Sequence, residues 1–139
     1  MRAAREQSGA SLIEAAVVLP IYLLIFLGTF QYSLVLLTYC NATYACRLAS
    51  RYASMHSTAS LAPDTVAQIQ GLVTSRLFIG PGITPTISVN YYTANLQAGS
   101  NVVGNVVLVS VTWTQTVTLP FSTPSTFSIS TQNYKVITR

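Results

Sequence analysis

The distribution of apolar residues along the chain changes character near residue 40. Residues 10–39 carry almost no charge, and residues 15–37 form a run of 23 mostly apolar positions. At about 1.5 Å per residue, a helix of this length crosses a hydrocarbon layer of about 30 Å with some tilt. Because the apolar core of a cleavable secretory signal is only about 7–15 residues long, the pattern predicts a membrane-spanning helix.

Beyond the apolar run, small residues continue the helical periodicity to about Met55. Ala42, Ala45, Ala49 and Ala53 recur at steps of three and four, which places them on one face of a helix. Small side chains allow another element to approach closely. Two partners are open at this point: the C-terminal part of the same chain, or another subunit.

The remainder of the chain, residues 57–139, predicts a small α+β domain. Asp64 is placed to cap a second, amphipathic helix that runs to about Phe78 and ends before the Gly-Pro-Gly sequence at 80–82. Strands are predicted at 86–92, 105–119 and 126–137, and valine alternates with threonine or serine in the middle strand. Gln115 interrupts that alternation and predicts a bend or a split. The expected fold is a long N-terminal helix and a second helix packed on an antiparallel sheet of three to four strands.

Composition narrows the range of functions. The 139 residues include only seven basic and three acidic side chains, and the basic residues are scattered rather than clustered as in a nucleic-acid site. His56, Glu6, Glu14 and Asp64 form no recognisable catalytic constellation, so we expect a non-enzyme without a small-molecule substrate or cofactor. Since no further Cys or His joins His56 and the cysteines in a ligand set, we expect no metal centre of that kind.

Cys40 and Cys46 lie six residues apart on the predicted helix. They are separated by about 9 Å along the axis, so they cannot bridge each other while the helix is intact. Either could form an intermolecular disulfide in an oxidising compartment, or could serve as a small buried apolar residue.

The acidic residue Glu14 stands five residues beyond Gly9, at the start of the apolar run and after a short segment that contains Arg2 and Arg5. An ionised acid at the centre of a bilayer costs about 2.5–3.5 kcal/mol on insertion scales, so Glu14 should lie near the membrane boundary or pair with a cation. It stands within a longer pattern, GASLIEAAVVLP at residues 9–20 and NATYACRLASRYA at residues 41–53.

Together these features resemble the TadE-like family of tight-adherence (Flp) pilus assembly proteins, over about the first 55 residues. Ala15 departs from the pattern, because the family usually has an aromatic residue after the glutamate. The resemblance implies a pilin-like organisation with a basic leader at 1–9, a transmembrane helix with its extension at 10–56, and an extracytoplasmic domain at 57–139. It also implies cleavage after Gly9 by a prepilin peptidase, which would make Ala10 the new N-terminus.

The implied function is that of a pseudopilin-like minor pilin or assembly factor. Its expected location is the inner membrane, with the N-terminus in the cytoplasm and the C-terminal domain in the periplasm or in the pilus. The expected partners are membrane lipid, the peptidase and other pilin or pseudopilin subunits, and Glu14 would pair with the Ala10 amine of a neighbouring subunit. The alternative is a single-pass anchored module that binds or senses an extracytoplasmic ligand, for which a cleavage site would have no use.

Overall fold

The computed structural model describes residues 2–80, 83–118 and 123–138, with side chains from residue 11 onward within those ranges. A long helix, α1, occupies Arg2–Met55, and a short helix, α2, occupies Val66–Arg76. Three strands follow in the described part of the chain: β1 (Thr86–Tyr92), β2 (Val106–Val117) and β3 (Ser125–Val136). The predicted α+β fold and the predicted end of the first helix near Met55 are confirmed.

The three strands form an antiparallel sheet in the order β1-β2-β3, so each strand pairs with its neighbour in sequence. In this register Val109 lies opposite Val89 of β1 and opposite Asn133 of β3. β1 covers only the half of β2 from Val106 to Thr112, whereas β3 pairs along the whole of β2. The sheet is therefore three strands wide at one end and two strands wide at the other.

One face of the sheet packs against α1 and α2. Alternate residues of β2 point into this interface and are almost fully buried: Val107, Val109, Val111 and Trp113. This burial follows the period-two pattern of apolar and hydroxyl residues, because successive side chains of a strand point to opposite faces. From α2, Ile69 and Val73 complete the core.

Gln115 does not interrupt β2, so the expected split at this position is wrong. The pairing of β2 with β3 is continuous from Val106 to Val117. Gln115 lies on the inner face beyond Trp113, where it lines a groove against Leu34 and Leu37 of α1. The polar residue is accommodated because the groove at the narrow end of the sheet is only partly closed.

The start of α2 also differs from the expectation. Thr65, not Asp64, is the N-cap: its hydroxyl accepts a hydrogen bond from the Gln68 amide, and the Gln68 side chain accepts one from the Thr65 amide. This reciprocal arrangement is a capping box, which satisfies two backbone donors at once. The helix ends at Arg76 rather than near Phe78, and Pro81 and Gly82 of the expected stop lie outside the described residues.

Candidate functional site

The N-terminal part of α1, residues 11–37, is called the lower half. It exposes large apolar side chains that no other part of the described chain covers. Leu12, Ile13, Leu19 and Phe26 are each more than half exposed. From Ser11 onward the helix is long and apolar enough to cross a membrane, and its most apolar window is not buried at all. Contiguous exposed apolar surfaces mark sites of contact with a membrane or with other proteins.

Glu14 lies on the exposed surface of this lower half. It lines a shallow depression together with Ser11, Ala15 and Val18. Among the described side chains no cation forms a salt bridge with it. Gly9 and Ala10 fall within α1, but their side chains lie outside the described part of the chain, so the expected processing site and its pairing with Glu14 remain predictions.

The C-terminal part of α1, residues 42–54, is called the upper half, and it packs against the sheet of the same chain. All four alanines of the predicted stripe are buried, with at most 1% of their surface exposed: Ala42, Ala45, Ala49 and Ala53. Of the two partners that the sequence left open, the structure shows the C-terminal domain of the same chain. The small side chains let α1 approach β2 and β3 closely enough to bury the valines of β2.

Polar contacts that the sequence analysis missed fix the position of α1 on β3. The Ser50 hydroxyl donates to Asn133 Oδ1 at 2.7 Å, and the Thr43 and Thr131 hydroxyls lie 3.0 Å apart. Further up, the Thr138 amide donates to the Ser54 carbonyl at 3.0 Å. The available signal was weak: Thr43, Ser50 and Ser54 flank the alanine stripe, but their partners are more than 80 residues away.

The narrow end of the sheet reaches down α1 as far as Gln31. The Gln31 side-chain Nε2 donates a hydrogen bond to the Thr118 carbonyl at 2.5 Å. Leu34, Val35 and the last residues of β2 line a groove beside this contact. The C-terminal domain therefore extends alongside the apolar run, about 15 residues of α1 below Cys46.

The two cysteines occupy different environments. Cys40 is exposed on α1, whereas Cys46 is buried against the sheet, with its Sγ 3.9 Å from the Thr131 carbonyl. Burial raises the pKa of the Cys46 thiol to about 11, an effect that a backbone hydrogen bond only partly offsets. Of the two thiols, Cys40 is thus the one that a partner chain can reach.

No catalytic site emerges in the part of the chain that the structure describes. Its His, Cys, Asp and Glu side chains form no group of three that could hold a metal ion. The single ion-pair contact found among these residues joins His56 Nδ1 to Asp64 Oδ2 at 3.8 Å.

Comparison with known proteins finds one family. The family model described as TadE-like protein matches residues 9–51, which cover the exposed half of α1 and most of its buried half. This match confirms the resemblance derived from the motifs at 9–20 and 41–53. No curated protein and no solved structure matches the chain.

Proposed function

Because residues 9–51 are TadE-like, we propose that the chain is a pseudopilin-like minor pilin or assembly factor of a tight-adherence pilus. The coarser link, to tight-adherence pilus assembly, comes directly from the family match, and this family is not one of known enzymes. The observation that carries the finer proposal is the division of α1. Its lower half exposes an apolar surface for lipid or neighbouring subunits, and its upper half is occupied by its own domain.

The Gln31–Thr118 contact supports a specific depth for the membrane. Backbone groups at the end of β2 need water or protein partners, so this end of the sheet is excluded from hydrocarbon. The hydrocarbon-spanning part of α1 would then end near Phe30. Residues 11–30 form a helix about 30 Å long, which matches the hydrocarbon thickness and leaves Glu14 within one turn of the opposite boundary. The proposed span is thus shorter than the nearly uncharged run at residues 10–39.

In the proposed topology the N-terminus faces the cytoplasm and residues 57–139 lie outside the inner membrane. Single cysteines introduced at exposed positions of a Cys40→Ser, Cys46→Ser chain would test both topology and depth. A cysteine at Leu61 should react with a membrane-impermeant maleimide in intact spheroplasts, whereas one at Leu23 should not. Labelling at Leu23 but not at Leu61 would contradict the proposal.

Processing after Gly9 is the second component of the proposal. A prepilin peptidase would remove residues 1–9 and leave an α-amino group on Ala10. Gly9→Leu should block the cut, and Gly71→Ala serves as the glycine control, because a Cβ at that position of α2 meets no atom within 4 Å. Intact-mass measurement on protein from its native host decides the matter, since retention of the leader in the unaltered chain would contradict cleavage. An uncut chain would favour the anchored sensing module.

Glu14 is proposed to set the register between subunits by pairing with the Ala10 amine of a neighbour. Glu14→Gln keeps the shape of the side chain and removes its charge. We expect normal membrane insertion but impaired piliation, and Glu6→Gln, which lies in the proposed leader, provides a matched control. Normal piliation and adherence of the Glu14→Gln strain at normal protein levels would show that the charge has no role in assembly.

Cys40 is proposed as the site of an intermolecular disulfide, because it is the exposed thiol of the two. Non-reducing electrophoresis of the native-host protein should then show a reducible adduct with wild type and with Cys46→Ser, but not with Cys40→Ser. Absence of such an adduct in the wild-type protein, extracted with its thiols alkylated, would leave Cys40 a free surface thiol.

A further inference from the structure

The two edges of the sheet differ in how their backbone groups are satisfied. At the β1 edge, the carbonyls that point away from β2 meet partners in the same chain. Gln70 Nε2 donates a hydrogen bond to the Ile87 carbonyl at 3.0 Å. The Gly99 amide donates one to the Tyr91 carbonyl at 2.8 Å. The β1 edge is therefore largely closed by α2 and by the connection that follows β1.

The β3 edge has no such cover in the described part of the chain. Ile137, directly after β3, exchanges backbone hydrogen bonds with Gly104 and Asn105, so its backbone groups point toward β2. Because the pairing of antiparallel strands alternates along each strand, the even-numbered residues of β3 point their N–H and C=O groups away from β2. All six of these residues are exposed: Thr126, Ser128, Ser130, Gln132, Tyr134 and Val136.

β3 also lacks most of the features that protect an edge strand from pairing. Natural edge strands are protected by proline, by bulges, by charged side chains or by short length. β3 has twelve residues, pairs continuously with β2 and contains no proline, and Lys135 is its only charged residue. An edge of this length and regularity is suited to the addition of one further strand.

The cations beside this edge indicate what kind of strand it accepts. Arg47 lies between Thr43 and Ser50 on the side of α1 that hydrogen-bonds to β3, and its own side chain is exposed. Lys135 is exposed on the same face of β3 as Asn133, the partner of Ser50. Neither cation forms a salt bridge among the described residues. Acidic side chains on an added strand would meet both charges.

The outer face of the same edge is apolar near the end of β3. Tyr134 is 74% exposed and Val136 is 51% exposed. Residues directly opposite each other on neighbouring strands lie on the same face, so an added strand would cover these two side chains with residues that alternate with its acidic ones. The expected occupant is an extended segment in which apolar and acidic residues alternate.

A second copy of this chain does not supply such a segment. β1, β2 and β3 contain no acidic residue. The directions of the elements also oppose it, because α1 and β3 run the same way and their hydrogen bonds follow in order: Thr43 to Thr131, Ser50 to Asn133, and Ser54 to Thr138. Antiparallel pairing of two β3 strands would direct the two α1 helices oppositely, so they could not enter one membrane from the same side.

We propose that the β3 edge binds an extended acidic segment of another protein, which adds a fourth strand antiparallel to β3. The even-numbered residues of β3 supply the backbone hydrogen bonds, and Arg47 and Lys135 select acidic side chains. This docking does not depend on the role in pilus assembly. Only the argument from the direction of α1 uses the proposed membrane anchor.

The test measures fluorescence anisotropy with the full chain in a non-ionic detergent. The probe is a labelled peptide of about ten residues in which valine alternates with glutamate. We expect saturable binding that weakens with added salt, and no binding of the same peptide with lysine in place of glutamate. Lys135→Gln should weaken binding of the acidic peptide by up to about fivefold, the effect of one cross-strand charge pair.

Ser130→Pro tests the role of the backbone at the edge. The Ser130 amide points away from β2, so proline removes a donor of the edge without removing a hydrogen bond of the sheet. Binding of the acidic peptide should weaken about tenfold. Ser130→Ala keeps this amide and is the matched control, with affinity equal to that of wild type. Far-ultraviolet circular dichroism shows whether both variants are folded.

Hydrogen exchange of the wild-type chain, followed by nuclear magnetic resonance, gives a second measurement if Ser130→Pro fails to fold. The amides of Ser128 and Ser130 should exchange rapidly in the free chain and at least about tenfold more slowly with the acidic peptide bound. The Val89 amide at the β1 edge should not change. Absence of saturable binding, equal binding of the lysine peptide, or protection confined to Val89 would overturn the proposal. Tighter binding of a peptide with the sequence of residues 125–136 would also overturn it, because the occupant would then be a second copy.

Discussion

Between Ser11 and Leu37, α1 exposes leucine, isoleucine and phenylalanine side chains, whereas between Ala42 and Ser54 the same helix is covered by β2 and β3. The difference lies in side-chain size and in the position of polar residues. Large apolar side chains project all round the lower half, but the upper half carries one stripe of alanines with serines beside it and arginines on the other side. A single continuous helix thus has one part specified for its own domain and another part left for other molecules.

The largest effect on stability should follow truncation of the large core side chain of β2 that packs beneath the upper half of α1. Trp113 is 2% exposed, so Trp113→Ala leaves a large cavity beneath α1 and should cost about 3–5 kcal/mol of domain stability. Membrane insertion should be unaffected, because Trp113 belongs to the buried core of the domain and not to the proposed span at residues 11–30. Chemical denaturation followed by far-ultraviolet circular dichroism measures the stability of the domain, and carbonate extraction of membranes measures insertion.

The matched control is Tyr134→Ala on β3, whose side chain is 74% exposed on the outer face of the sheet. Its removal should change domain stability by less than about 0.5 kcal/mol. Equal destabilisation by the two variants would mean that the inner face does not form the core.

A charge in the lower half should produce the opposite pattern. Leu23 is half exposed and lies near the middle of the proposed span, so Leu23→Lys should disfavour insertion by about 2.5–3.5 kcal/mol. The domain should nevertheless fold, since Leu23 lies eight residues before Gln31, the first residue of α1 with a hydrogen bond to the described part of the domain. The inserted fraction and the protease resistance of the domain are the two readouts, with Leu23→Ile as the conservative control.

If Leu23→Lys unfolds the domain while the inserted fraction stays the same, the lower half must be packed inside the protein. The division of α1 into two functional halves would then be wrong.

The sequence predicts those features of the two halves that are encoded by residues close together in the chain. The alternation of valine with threonine in β2 and the three- and four-residue spacing of the alanines identify buried faces without knowledge of their partners. The partner is not local: Gln31 meets Thr118 across 87 residues, and Ser50 meets Asn133 across 83. No periodicity encodes such pairs.

The cap of α2 illustrates another limit of prediction from sequence. Asp64 and Thr65 are both residue types that cap helices well, and only Gln68, three residues beyond Thr65, favours Thr65 as the cap.

A smaller change compares the same substitution in both halves. Ala49→Leu forces three extra heavy atoms into the interface with the sheet and should destabilise the domain by about 1–3 kcal/mol. Ala16→Leu adds the same atoms to the exposed lower half and should be neutral for domain stability. Denaturant midpoints of the two variants in the same detergent give the comparison directly, and equal midpoints would contradict the tight packing of the alanine stripe.

At neutral pH the smallest effect on stability, and the sharpest contrast between neighbouring positions, is expected for the two thiols. Because burial raises the pKa of Cys46 from its ordinary value of 9.0 to about 11, its thiolate fraction near pH 8 is lower by about a hundredfold than that of an unperturbed thiol. In the reduced protein, iodoacetamide should modify Cys40 rapidly and Cys46 at least a hundredfold more slowly, as measured with Cys46→Ser and Cys40→Ser chains.

The raised pKa of the Cys46 thiol also fixes the direction in which the stability of the domain changes with pH. The contribution of the Cys46 thiol to stability is complete below pH 9.0 and is lost as the pH rises toward 11, since only the unfolded chain ionises there. Wild type should therefore lose more stability than Cys46→Ala between pH 9 and pH 11. Equal losses, or rapid alkylation of Cys46 in the folded protein, would show that this face of α1 is open and that the upper half is not covered by its own sheet.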